Sequence, residues 1–132
     1  MGTVRVPLLL LALATTTACG PGGGDGGAAV EVPSFPEPHL QQGRSIWMQV
    51  CRNCHLAGVA GAPAVDDQGA WRARRAKGTE ALYRSAIEGI PGDGDWAMPP
   101  KGGNDKLTEA QVRHAVDFIL AAVEALAGGQ TP

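Results

Sequence analysis

Two cysteines separated by two residues and followed at once by a histidine, Cys51-Arg52-Asn53-Cys54-His55, constrain this chain more than any other feature. Two intervening residues let both sulfurs reach one edge of a porphyrin. The next residue can swing beneath the ring plane and offer Nε2 to iron. The pattern is the attachment signal for a covalently bound haem c, with thioethers from Cys51 and Cys54 and His55 as an axial ligand. A zinc site needs four ligands in a tetrahedral array, whereas these three are contiguous and no second cysteine pair exists. A thioredoxin-like dithiol belongs in a βαβ setting, which the flanking residues do not provide. A plain Cys51–Cys54 disulfide is the weakest rival.

A haem attached in this way implies export, and the amino terminus agrees. Residues 1–18, MGTVRVPLLLLALATTTA, carry one positive charge at Arg5, an apolar run from Val6 to Ala14, and then small residues. That is the layout of a signal peptide, and the run is too short to span a bilayer, which takes about 20 apolar residues. Cys19 follows Thr16-Thr17-Ala18 directly. Small residues before a cysteine resemble a bacterial lipobox, with Cys19 acylated as a lipid anchor. Thr16 stands where leucine is usual, and ordinary cleavage would leave Cys19 an idle thiol. Residues 19–38 are rich in Gly and then Pro, and read as a flexible linker that cannot bury enough apolar surface to offset its ordering entropy.

The remaining residues, 39–128, read as one all-α domain, with a short tail at 129–132. A first helix begins after Pro38 and runs into Cys51, with Leu40, Gly43, Ile46, Trp47 and Val50 near helical spacing. Residues 56–70 read as loop, with a weak helical stretch over 68–76. Thr79 reads as the N-cap of a helix that Gly89 stops. The stretch GIPGDGDWAMPPKGGND at 89–105 holds too much Gly and Pro for a helix or central strand. Thr108-Glu109-Ala110-Gln111 forms a capping box. It opens a last helix with Val112, Ala115, Val116, Ile119, Leu120 and Val123 on one face and Gly128-Gly129 at its end. A core this small benefits from a staple, which a large apolar cofactor supplies.

The second axial ligand has four candidates: Met48, Met98, His39 and His114. Met48 lies on the attachment side and reads as a buried helix position. His114 falls on the polar face of the last helix and His39 at the start of the first. Met98 precedes Pro99 and Pro100, which force an extended, stiff segment able to hold a soft thioether on iron. His/Met ligation raises the reduction potential and closes the metal to outside ligands, which suits electron transfer.

Across nearly all of 39–128 the chain resembles a class I c-type cytochrome, of the c5-like subgroup. The resemblance is carried by Gly43 with Trp47 before the attachment motif, then Gly58, Gly61-Ala62-Pro63, Ala70-Trp71, Arg74 or Arg75, Lys77-Gly78, Leu82, Ala86 and Gly89. Its most specific part is Met98-Pro99-Pro100-Lys101-Gly102-Gly103, with Leu107 and 115–120 behind it. The resemblance implies a cytochrome c-like fold of several short helices around one covalent haem, with first and last helices crossing near-perpendicularly and Phe118 packed over Gly43. It implies that the Pro63 carbonyl receives Nδ1–H of His55, which fixes the ring and raises its basicity. Trp71 has two roles open to it, donation to a haem propionate or packing against the ring, and Trp96 reads as packing. Arg72, Arg74, Arg75 and Lys77 form the one basic cluster, either a solvated face or, through Arg74 and Arg75, partners of the propionates or of an acidic protein. Lys101 could edge a docking patch.

The expected function is therefore a monohaem one-electron carrier, exported and lipid-anchored on the periplasmic side of a bacterial membrane. Its expected partners are a redox donor and a terminal oxidase or reductase. A net charge of −2 argues against a nucleic-acid binder, and no residue constellation suggests hydrolysis, group transfer or a small-molecule substrate. The alternatives are an electron-entry subunit of a dehydrogenase or oxidoreductase complex and a haem-based gas sensor.

Overall fold

The computed structural model describes residues 1–3, 29–92 and 97–129 of the 132. Five α-helical segments make up half of that: α1 Pro38–Ile46, α2 Arg52–His55, α3 Gln68–Arg75, α4 Thr79–Glu88 and α5 Glu109–Ala127. No strand forms among the described residues. One isolated antiparallel bridge joins Ile90 and Met98.

Pro38 opens α1, where its fixed φ suits a first helical turn and its missing N–H costs nothing. A π-helical turn, Trp47–Cys51, carries the chain from α1 into α2, so the attachment motif continues the first helix. α3 is the weak helical stretch expected over 68–76; the Asp67 carboxylate accepts from the Ala70 N–H at its start. At α4 the cap differs from expectation. Gly78 (φ 85°) occupies that position and Thr79 is the first helical residue, with no side-chain cap bond, because the tight reversal after α3 needs a backbone angle that threonine avoids. Gly89 ends α4 at φ 83°. A Cβ there would lie 2.7 Å from the Met98 carbonyl oxygen, so the glycine also lets the Met98 segment lie against the end of the helix. The capping box of α5 forms as expected, with Thr108 Oγ1 accepting from Gln111 N–H and Gln111 Oε1 from Thr108 N–H.

The helices meet where α1 crosses α5. Gly43 is buried there against the His114 carbonyl and the Phe118 side chain, with no room for a Cβ. Phe118 is fully buried and packs between Trp47, 5.7 Å away by ring centroids, and Phe35, 6.1 Å away. One apolar cluster joins Ile46, Trp47, Val65, Trp71 and the α5 residues Ala115, Phe118, Ile119, Ala122 and Val123. A second joins Ala86, Val112 and Val116, with Leu82, Ile87, Met98 and Leu107 against it. Tyr83 of α4 donates its hydroxyl hydrogen bond to Asp117 of α5, and Arg113 lies 4.6 Å over the Tyr83 ring while pairing with Glu80 at 3.2 Å.

The packed body reaches further back than the expected linker boundary at Pro38. Val30, Val32 and Phe35 lie against the first cluster, and Arg44 donates to the carbonyls of Pro33 (3.0 Å) and Val32 (3.4 Å).

Candidate functional site: a cleft between the attachment helix and the methionine loop

A largely apolar cleft of about 260 Å³ opens between α2, the loops at 59–63 and 97–102, and the inner faces of α4 and α5. The structure brings most of the expected site residues to it. Cys51, Cys54, His55, Pro63, Trp71, Arg74, Met98 and Pro99 all line it. Cys51 is half-buried and Cys54 exposed, with no disulfide between them.

The imidazole of His55 is held from behind. Its Nδ1 lies 3.0 Å from the Pro63 carbonyl oxygen. A carbonyl only accepts, so Nδ1 carries the proton and the Nε2 lone pair is left for a metal. Burial lowers the His55 pKa, the Pro63 bond opposes that, and the Arg74 charge lowers it further. The net effect keeps the ring neutral. In the 97–102 loop, the Met98 main chain is clamped to Ile90 by two hydrogen bonds of 2.9 and 3.0 Å.

Two readings that the sequence left open narrow here. The Trp71 indole N–H donates to the Ala64 carbonyl at 2.7 Å, so it is not free for a propionate. Trp71 packs instead, 6.1 Å from the His55 ring. The reason is local: the turn entering α3 brings the Ala64 carbonyl to the N–H edge of the indole. Arg75 leaves the site altogether. It faces away from the cleft and pairs with Glu124 of α5 at 3.4 Å, both side chains being exposed. Arg74, one residue earlier, is turned by a helical step to the cleft and donates to the Ala70 carbonyl. Among the other sulfur and nitrogen candidates, Met48 packs on the core outside the cleft. His114 is half-buried rather than solvated, and its Nδ1 lies 2.7 Å from Gln42 Oε1 at the helix crossing. His39 is exposed. Cys19 and Trp96 lie outside the described residues.

Sequence reasoning did not anticipate the Ile90–Met98 clamp, because Pro- and Gly-rich loops rarely pair. It also gave Trp47 only a packing position. Trp47 is 1% exposed and lines the cleft, and its indole N–H is the one buried side-chain polar atom without a partner among the described residues. Buried donors are seldom left unpaired, and an orphan on this wall fits a chain built around a further group. Two thiols and a neutral imidazole on one wall, a soft thioether on another and apolar helix faces between them fit a haem.

The family described as cytochrome C oxidase, cbb3-type, subunit III matches residues 38–119. The chain belongs to that family. It is 42% identical over 78 residues to cytochrome c-555 of Chlorobaculum tepidum, covering 59% of this chain and 71% of that one. It is 40% identical to cytochrome c5 of Ectopseudomonas mendocina over 68 residues, 50% of this chain and 72% of that one. A chain in the crystal structure of an electron transfer complex of nitrite reductase with cytochrome c superposes with a TM-score of 0.55 at 36% identity, over 66% of this chain and 96% of that chain. With these relatives, this is a monohaem class I c-type cytochrome, c5-like, with a covalently bound haem c and an all-α cytochrome c fold. It is an electron-transfer protein.

Proposed function

We propose that this cytochrome is a non-enzymatic one-electron carrier of the periplasm. In this reading Cys51 and Cys54 would form the thioethers, and His55 and Met98 would bind the iron. The observation that carries it is the convergence of His55, with Nδ1 already committed to Pro63, and the clamped Met98 on one apolar cleft. The haem supplies a single electron-accepting centre. The chain's own residues do the rest. Pro63 keeps Nε2 basic and orients the ring. The Ile90 clamp and Pro99 hold the thioether in place and so deny outside ligands a coordination position. Packed helix faces exclude water and keep rearrangement small. Arg74 is the cation at hand for a haem carboxylate.

The expected partners are a redox donor and a terminal oxidase or reductase, and a cytochrome c caught in complex with nitrite reductase supports that class. The apolar run before Cys19 supports export with acylation of Cys19, so that residues 20 to about 29 would tether the domain near a bacterial membrane and raise its effective concentration there. Among the described residues no helix is long and apolar enough to cross a membrane. A second reading, an electron-entry subunit of an oxidoreductase complex, is favoured by the oxidase subunit named in the matching family. Copurification with a catalytic chain separates it from a free carrier.

Optical spectra of the holoprotein in both redox states test the ligand assignment. The far-red band of thioether-ligated ferric haem is expected in the native protein and lost in Met98→Ala. Carbon monoxide should not bind the reduced native protein. Ready binding would point to a gas sensor, and pigment extracted by acid–acetone would remove the thioether assignment.

A further inference from the structure

Among the described residues only two non-glycine residues hold a positive φ, Ala60 and Lys101. Lys101 (φ 53°) begins a run completed by Gly102 (φ 64°) and Gly103 (φ 85°), in the turn that follows Met98-Pro99-Pro100. Glycine or asparagine would adopt that backbone more cheaply. Strained residues persist where the surroundings over-determine them, and they gather at functional sites.

The side chain shows what the strain accompanies. Lys101 is half-buried on the cleft wall, and its ammonium donates to the Leu107 carbonyl at 2.7 Å. That bond closes the loop 101–107 onto the start of α5. Leu107 and Met98 both pack on the Ala86–Val112–Val116 cluster, so the carbonyl that Lys101 grips belongs to a residue sharing an apolar seat with the methionine. On the opposite side the loop backbone is seated tightly. A Cβ at Gly102 would lie 2.8 Å from Val50, the residue before Cys51. The methionine segment is thus fastened at three points: the Ile90 bridge before it, Val50 beneath it and Leu107 after it.

We propose that Lys101 is a positioning residue whose cationic hydrogen bond to the Leu107 carbonyl keeps the Met98 thioether on the iron. The inference rests on Met98 being the axial ligand. The bond acts on ligand retention rather than on the fold as a whole, because it closes a surface loop while the α1–α5 core is built without it. A four-methylene stem spans the loop, and a charged donor makes a stronger bond to a carbonyl than a neutral one.

The test uses the ferric holoprotein. Native protein, Lys101→Gln, Lys101→Gly, Lys101→Arg and Met98→Ala are compared by the far-red band, by the rate at which added imidazole displaces the sulfur, and by denaturant unfolding followed through helical circular dichroism. Lys101→Gln should lose the sulfur roughly ten- to hundredfold faster, as expected for a lost charge-assisted bond, with a much smaller change in the unfolding midpoint. Lys101→Gly, which relieves the backbone, should be similarly labile, because the cation is what matters. Lys101→Arg should recover most of the native retention. Equal displacement rates in native protein and Lys101→Gln would overturn the proposal, as would band loss that merely tracks global unfolding. A native protein without the band, indistinguishable from Met98→Ala, would overturn the ligand assignment itself.

Discussion

Replacing Gly43 with alanine sets two effects of known sign against each other. In a helix interior the exchange gains about 1 kcal/mol from lower backbone entropy. Here the new Cβ would sit within hard-sphere contact of the His114 backbone, 2.6 Å from its carbonyl carbon and 3.0 Å from Phe118 Cβ. Ordinary contact begins near 3.4 Å and the His114 carbonyl oxygen is the nearest obstacle of all, so α1 must retreat from α5 by well over the roughly 0.8 Å that the carbonyl carbon alone would demand. Neither obstacle is a flexible chain end that could swing aside. The retreat opens the seam holding Phe118, Ala122 and Trp47, which are almost completely buried. Overpacking of this kind costs about 1–3 kcal/mol, with a backbone obstacle at the upper end. The net loss is therefore about 2 kcal/mol, which in a domain this size lowers the melting temperature by about 8–16 °C. Gly69→Ala is the control. Gly69 lies in the first turn of α3, where a Cβ would meet only Asp67 Oδ1 at 3.5 Å, so that variant should be neutral or stabilised by up to about 1 kcal/mol. Calorimetry of both holoproteins decides. A Gly43→Ala protein as stable as the native one would refute the close crossing.

Three further outcomes are expected. Thr108→Ala removes the capping box of α5 and should cost about 1 kcal/mol in denaturant titration. Trp71→Phe removes one of the two hydrogen bonds that the Ala64 carbonyl accepts, the Asp67 N–H keeping the other, and should cost about 1 kcal/mol without moving the midpoint potential; a shifted potential at unchanged stability would instead put the indole on the haem edge. Burial and then the bond to Asp117 push the Tyr83 pKa from its ordinary 10 up to about 12. The folded state holds that proton longer than the unfolded chain, so the associated stability is fully present below pH 10 and is lost as pH rises through 12. Unfolding midpoints should fall across that window in native protein and fall less in Tyr83→Phe.

Features encoded within a few consecutive residues were legible in the sequence. The attachment motif at 51–55, the capping box at 108–111, the stop at Gly89 and the apolar face of α5 each depend on local stereochemistry, so neighbours in the chain suffice to read them. Even the close approach at Gly43 could be anticipated once the resemblance to c5-like cytochromes was in view. What remained open were choices between partners distant in the chain. Arg74 and Arg75 are adjacent and chemically equal, yet only the course of α3 against α5 sends one to the cleft and the other to Glu124. Trp71 offers one donor, and only the folded turn shows that Ala64 takes it. Val30, Val32 and Phe35 look like tether until Arg44 and Phe118 are in place to receive them. The grip of Lys101 on Leu107 is likewise invisible in MPPKGG, because it needs a left-handed turn to aim the chain inward. Sequence determined which chemistry this protein carries, since covalent and helical preferences act at short range. Tertiary structure decided which equivalent side chains serve that chemistry, because hydrogen bonds and burial depend on what the fold brings within about 3 Å.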